Sequence, residues 1–131
     1  MNNETIAECM RLSFGDTAFP VVVEKLAAAG VAAYAADLIA LRKTYYDAGN
    51  EHADEPMPLA DAPAIAGTFD PAAVEAALRA IQQKKIGYAE FLRQIMRAGC
   101  ARYGVFILGR KAMYFGRNGE FYTEPFPGRT N

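Results

Sequence analysis

The chain has 131 residues, 52% of them apolar and 22% charged, with a formal net charge of −1, a size and balance suited to one domain that buries its core without disulfides or metal. No run of eighteen apolar residues occurs and the opening MNNETIAECM has no basic stretch leading into an apolar one, which predicts no membrane span, no signal peptide and a cytoplasmic location. Near-zero net charge argues against a dedicated nucleic-acid binder, although residues 1–65 carry 4 basic and 10 acidic side chains and residues 66–131 carry 10 basic and 5 acidic, so the two halves are electrostatically complementary.

In chain order, Ile6, Cys9, Met10 and Leu12 predict a short helix over Glu4 to Leu12, closed by Gly15 and Asp16. Thr17 is placed to cap a second helix that tolerates Pro20 in its first turn, buries Val22, Val23, Leu26 and Ala29, and stops at Gly30. The period then changes: Ala32 to about Leu41 reads as extended, Lys43 to Tyr46 as a second strand, Asp47 to Asn50 as a turn and Glu51 to Glu55 as a polar third strand. Residues 59–70, with Pro63 and no periodicity, form a linker across the surface. Asp70-Pro71 opens a third helix with Val74, Ala77, Leu78 and Ile81 inward; Gly87 breaks it. Tyr88, Phe91, Leu92, Ile95 and Met96 line a fourth, ended by Gly99. From Gly99 to Pro127 the chain reads as a three-stranded meander, with Arg117-Asn118-Gly119 turning Ala112 to Gly116 into Glu120 to Glu124.

This last stretch has an earlier counterpart. Gly30 and Gly99, Tyr34 and Tyr103, Tyr45 and Tyr114, Glu51 and Glu120, Glu55 and Glu124, Pro56 and Pro125, and Pro58 and Pro127 all differ by 69, and Ala7, Ala29 and Ala32 complete ten identical pairs without a gap. Such internal similarity predicts a duplicated unit, about 4–58 and 73–127, within one domain spanning 1–131. The expected fold class is α+β: tandem ααβββ repeats forming a mainly antiparallel sheet with four helices packed largely on one face.

On the strands, Tyr34, Ala36 and Leu38 alternate with Ala35, Asp37 and Ile39, and Tyr103, Val105 and Ile107 with Gly104, Phe106 and Leu108. The first set of each is expected under the helices. Apolar residues on the second face, Phe106 with Met113 and Phe115, predict that this face is covered by the linker, a second subunit or a ligand. A homodimer using these three residues is the favoured assembly.

No catalytic or metal-binding constellation is visible. His52 is the sole histidine and has no second nitrogen ligand or positioned serine, so no metal, cofactor or catalytic residue is assigned. Cys9 and Cys100 read as reduced, buried thiols. The function class is therefore a non-enzymatic binding or interaction protein. The alternative is a small-molecule binder or enzyme with a pocket at the repeat junction lined by Tyr34, Asp37, Tyr103 and Arg110, Asp37 being a charge in a sheet that wants a partner such as Arg42, Lys43 or Arg110.

The motifs GVxxY (Gly30 to Tyr34), KTYY (Lys43 to Tyr46), AxRAIQ (Ala77 to Gln82), YxEFLRxIMxAGC (Tyr88 to Cys100) and YFGRxGE (Tyr114 to Glu120) together resemble a bacterial family of unknown function whose members are often labelled phage envelope protein. The resemblance covers nearly the whole chain. It implies little about activity beyond the phage-related label, since the family offers no established catalytic residues to carry over; many members have histidine after the first tyrosine, where this chain has Ala35.

Overall fold

A computed structural model describes residues 1–126, so Pro127 and its relation to Pro58 lie outside the described residues. The elements follow as α1 (Asn3–Phe14), α2 (Phe19–Ala28), β1 (Ala33–Asp37), β2 (Arg42–Tyr46), β3 (His52–Pro56), α3 (Pro71–Gln82), α4 (Tyr88–Arg97), β4 (Cys100–Phe106), β5 (Lys111–Gly116) and β6 (Phe121–Pro125). All six strands join one antiparallel sheet in the order β3-β2-β1-β4-β5-β6. The α+β class and the tandem ααβββ order are as the sequence predicts.

Local chemistry explains where the helices begin and end. Asn2 and Asp70 accept hydrogen bonds of 3.1 Å from the amides of Thr5 and Ala73, satisfying donors that a helix start leaves free. Thr17 does not cap α2: Ala18 occupies that position with no side-chain bond, and Pro20 in the first turn reduces the number of amides needing a partner. The α4 start is capped from another element, since the Tyr88 amide donates to Asp16 Oδ1 at 3.0 Å. After α2 and α4 the chain turns out through Gly30 and Gly99, at φ of 92° and 90°.

Strand registers repeat between the two ααβββ units. Tyr34 pairs with Tyr45 as Tyr103 pairs with Tyr114, and Lys43 pairs with Glu55 as Ala112 pairs with Glu124. At the centre Ala33 pairs with Phe106, Ala35 with Gly104 and Asp37 with Arg102, so a local two-fold passes between Ala35 and Gly104. From α2 onward the offset is 69 residues. The first helices differ, because α1 and α3 correspond at 68: Ile6, Cys9 and Met10 are buried as Val74, Ala77 and Leu78 are. The ungapped alignment is thus corrected by one extra residue between α3 and α4, and Ala7 and Ala76 are not equivalent. Burial decides this register, since a one-residue rotation of about 100° would turn the apolar stripe off the sheet.

Two further expectations change. The extended run to Leu41 ends at Asp37, whose Oδ1 accepts from the amides of Ile39 and Ala40, each at 2.9 Å, and closes a turn with Leu41 at φ 56°. The linker does not merely cross the surface: Met57 and Leu59 are buried, Ala66 and Asp70 amides donate to Met96 and Ala98 carbonyls, and Arg93 donates to Ala60 O. It is pinned along α4.

The core lies between the four helices and one sheet face, with Ile6, Leu26, Leu38, Val74, Leu92, Ile95 and Val105 at 1% exposure or less. Each such side chain contributes about 1.5–3 kcal/mol by leaving water. At the rim, Arg79 of α3 forks onto Glu124 of β6 at 2.7 and 3.1 Å, and Gln82 and Tyr122 donate to the same carboxylate. Burial alone would raise the Glu124 carboxyl, but these donors prevail and hold it below its ordinary value of 4.5. Its stabilising effect is therefore complete above that value and fades as pH falls through the lower folded one. Glu124→Gln is expected to cost about 1–2 kcal/mol at neutral pH and much less near pH 3, read from urea unfolding at the two pH values.

Candidate functional site

The structure divides the four residues expected to line a pocket. Tyr34 and Tyr103 come together under the helices, ring centroids 6.4 Å apart and both buried. Asp37 lies on the opposite face, engaged in its turn, in register between Arg42 and Arg102. Arg110 sits at the β4–β5 tip with its guanidinium 5.4 Å from the Phe126 ring. Neither of two surface depressions, one by Val21 and Lys25 on α2 and one between Ile39 and Pro63, is lined by any of the four.

What surrounds Tyr34 is a closed aromatic cluster. Tyr45 lies 5.3 Å from Tyr34, Tyr114 stacks on Tyr103 at 5.3 Å, and the Tyr88 and Tyr103 hydroxyls are hydrogen-bonded to each other. Burial pushes the phenols of Tyr34, Tyr45, Tyr88, Tyr103 and Tyr114 up, so all five stay protonated in the physiological range. Into this cluster β2 directs Lys43, only 3% exposed, with Nζ 4.7 Å from the Tyr88 ring centroid and 5.3 Å from that of Tyr34. No carboxylate lies within ion-pair distance of it among the described residues. Burial pushes its ammonium down from 10.5 to about 7, opposed only in part by Cys9, while the two ring faces attract the cation.

Sequence reasoning treats Lys43 only as a possible partner for Asp37. The signal that finds it is the register: Lys43 shares the inward face with Tyr45, and its counterpart is the buried Ala112. Cys9 and Tyr88 likewise correspond to Ala77 and Phe19. The seam of Cys9, Lys43 and Tyr88 thus has thiol, amine and phenol where its two-fold counterpart of Ala77, Ala112 and Phe19 has two methyls and a phenyl, each seam drawing residues from both units.

The second face of the sheet is open. Phe106 is 38% exposed, and Met113 and Phe115 are half-buried, so the three residues expected at an interface share this face with exposed Tyr46 and Phe121. Running from β3 to β6, one row across the sheet reads Pro56, Arg42, Asp37, Arg102, Phe115, Phe121. The middle row reads Asp54, Thr44, Ala35, Gly104, Met113, Thr123, and the last His52, Tyr46, Ala33, Phe106, Lys111, Pro125. The β4–β6 half carries the apolar patch with Arg102 and Lys111; the β1–β3 half carries Asp37 and Asp54.

No protein-family model matches the chain. It is 34% identical over 108 residues to uncharacterized proteins of Mycobacterium bovis and Mycobacterium tuberculosis, a match that covers 82% of this chain and 66% of each relative, which therefore have further chain outside it. Those names state no activity, and neither comparison adds support for the phage-related label. Among the described residues no helix is long and apolar enough to cross a membrane.

Proposed function

We propose that this chain is a non-enzymatic interaction protein that pairs with a second copy of itself through the open face of its sheet. The observation that carries this reading is the self-complementarity of the three rows. Stacked sheets keep their strands within about 30° of each other. A half-turn about an axis parallel to the strands reverses each row, setting Asp37 against Arg102 of the second copy, Arg42 against its Phe115, Tyr46 against its Lys111, and Ala33 against its Phe106. Charge meets opposite charge, cations meet rings, and small residues meet large ones. The half-turn about the perpendicular in-plane axis instead sets Asp54 against Asp54 and is disfavoured.

Met113→Glu puts a carboxylate in the middle of the patch without touching the core. It is expected to convert a dimer to a monomer at micromolar concentration in size-exclusion light scattering, with the thermal midpoint of the separated chain little changed. Equal masses for wild type and variant would remove the reading's support. A cytoplasmic placement fits Cys9 and Cys100, both free and buried. The origin of the two units by duplication fits their common strand registers.

A further inference from the structure

We propose that Lys43 is a proton-operated latch: as a neutral amine it lets α1 and α4 close on the sheet, and as an ammonium it loosens the seam between Cys9 and Tyr88. The case rests first on geometry. Lys43 is enclosed by Tyr34 of β1, Tyr45 of its own strand, Cys9 of α1 and Tyr88 of α4, with Tyr103 of β4 behind Tyr88. Glu55 of β3, its register neighbour, carries a carboxylate that is not in ion-pair contact with it among the described residues. The five phenols and the Cys9 thiol are all raised by burial, so no neighbour supplies a compensating anion near neutral pH.

Second, the fold does not need an amine there. The other unit places Ala112 at the corresponding position and closes in the same way. Lys43 thus adds a titratable group to a seam that an alanine could complete. A buried amine without a counter-ion gives up its proton more readily than a free one, and the folded value of about 7 lies below the unfolded value near 10.5. Between these values the unfolded chain holds a proton that the folded chain lacks, so stability rises with pH across that window. Below it both states are protonated, and the folded chain must hold a cation whose only compensation is two aromatic faces.

The direct test is a titration of the Lys43 side chain by carbon-detected NMR in the folded protein. A midpoint below about 9 supports the latch, and one at or above that value overturns it. The structural consequence is read at Cys9 by amide deuterium labelling and peptide mass spectrometry of wild type and Lys43→Met at the same pH, which cancels the intrinsic pH dependence of exchange and does not depend on the Cys9 thiol, whose ionisation Lys43 itself favours. The ratio of wild-type to variant labelling rate is expected to be at least about threefold higher near pH 6 than near pH 8.5. Equal ratios at the two pH values overturn the proposal. The Cys100 amide is the internal reference, and Lys43→Ala, which copies the residue of the other unit, replaces Lys43→Met if methionine is not accommodated.

Discussion

Gly99→Ala is expected to cost about 3–5 kcal/mol, a large share of the 5–15 kcal/mol typical of a domain, whereas Gly30→Ala should cost only about 1–2 kcal/mol. Both glycines have φ near 90°, so the backbone strain of adding a side chain is the same. Their neighbours differ. A Cβ on Gly99 would stand 2.2 Å from Thr68 O and 2.7 Å from its carbonyl carbon, while one on Gly30 would meet Met1 at 3.7 Å, an ordinary contact. The first clash is with backbone, which cannot rotate aside, and relieving it means lifting the linker from α4. The difference between the two urea midpoints therefore isolates the linker's packing. Equal losses would mean that residues 68–69 are not seated as described.

Tyr103→Ala is expected to lose about 3–5 kcal/mol. Its ring is buried between Tyr34 and Tyr114 and its hydroxyl bonds that of the half-buried Tyr88, so truncation leaves a cavity and removes that hydroxyl's partner. Tyr103→Phe keeps the packing and should cost about 1–2 kcal/mol by orphaning Tyr88 alone. Tyr34→Ala, at the corresponding position, should cost as much as Tyr103→Ala in denaturant unfolding, and it also removes one of the two rings facing Lys43. If Tyr34→Ala were near neutral, the aromatic cluster would not be the centre of the core.

The strand architecture was legible because alternation and identical spacing point the same way. Tyr34, Ala36 and Leu38 against Tyr103, Val105 and Ile107 fix both the inward face and the equivalence of the two units, and glycines at 30 and 99 mark where each helical pair gives way to strands. Identity was a poorer guide in the first helices. There the chance match of Ala7 with Ala76 hides the one-residue shift that the buried pairs Ile6–Val74 and Met10–Leu78 reveal. Asp37 stands out in the sequence as a charge breaking the apolar pattern, but its carboxylate is satisfied by two backbone amides of its own turn, which needs no partner charge. Arg110 reads as a possible ligand contact and is held over Phe126 at a tip.

Lys43 was the least legible. A lysine in a short, polar-looking strand suggests solvent, and its two-residue spacing from Tyr45 together with its alignment with Ala112 shows that the fold buries that position. The open face was legible as apolar on both sides, whereas its row-by-row complementarity required the register between β1 and β4. That register joins the two units and depends on contacts far apart in sequence.

Sedimentation equilibrium of the wild-type chain across the micromolar range tests the assembly reading most directly. A dimer through the open face predicts a mass of twice the 14.3 kDa chain that falls to one chain mass in Phe115→Glu. A wild-type mass of 14.3 kDa at every concentration would contradict it.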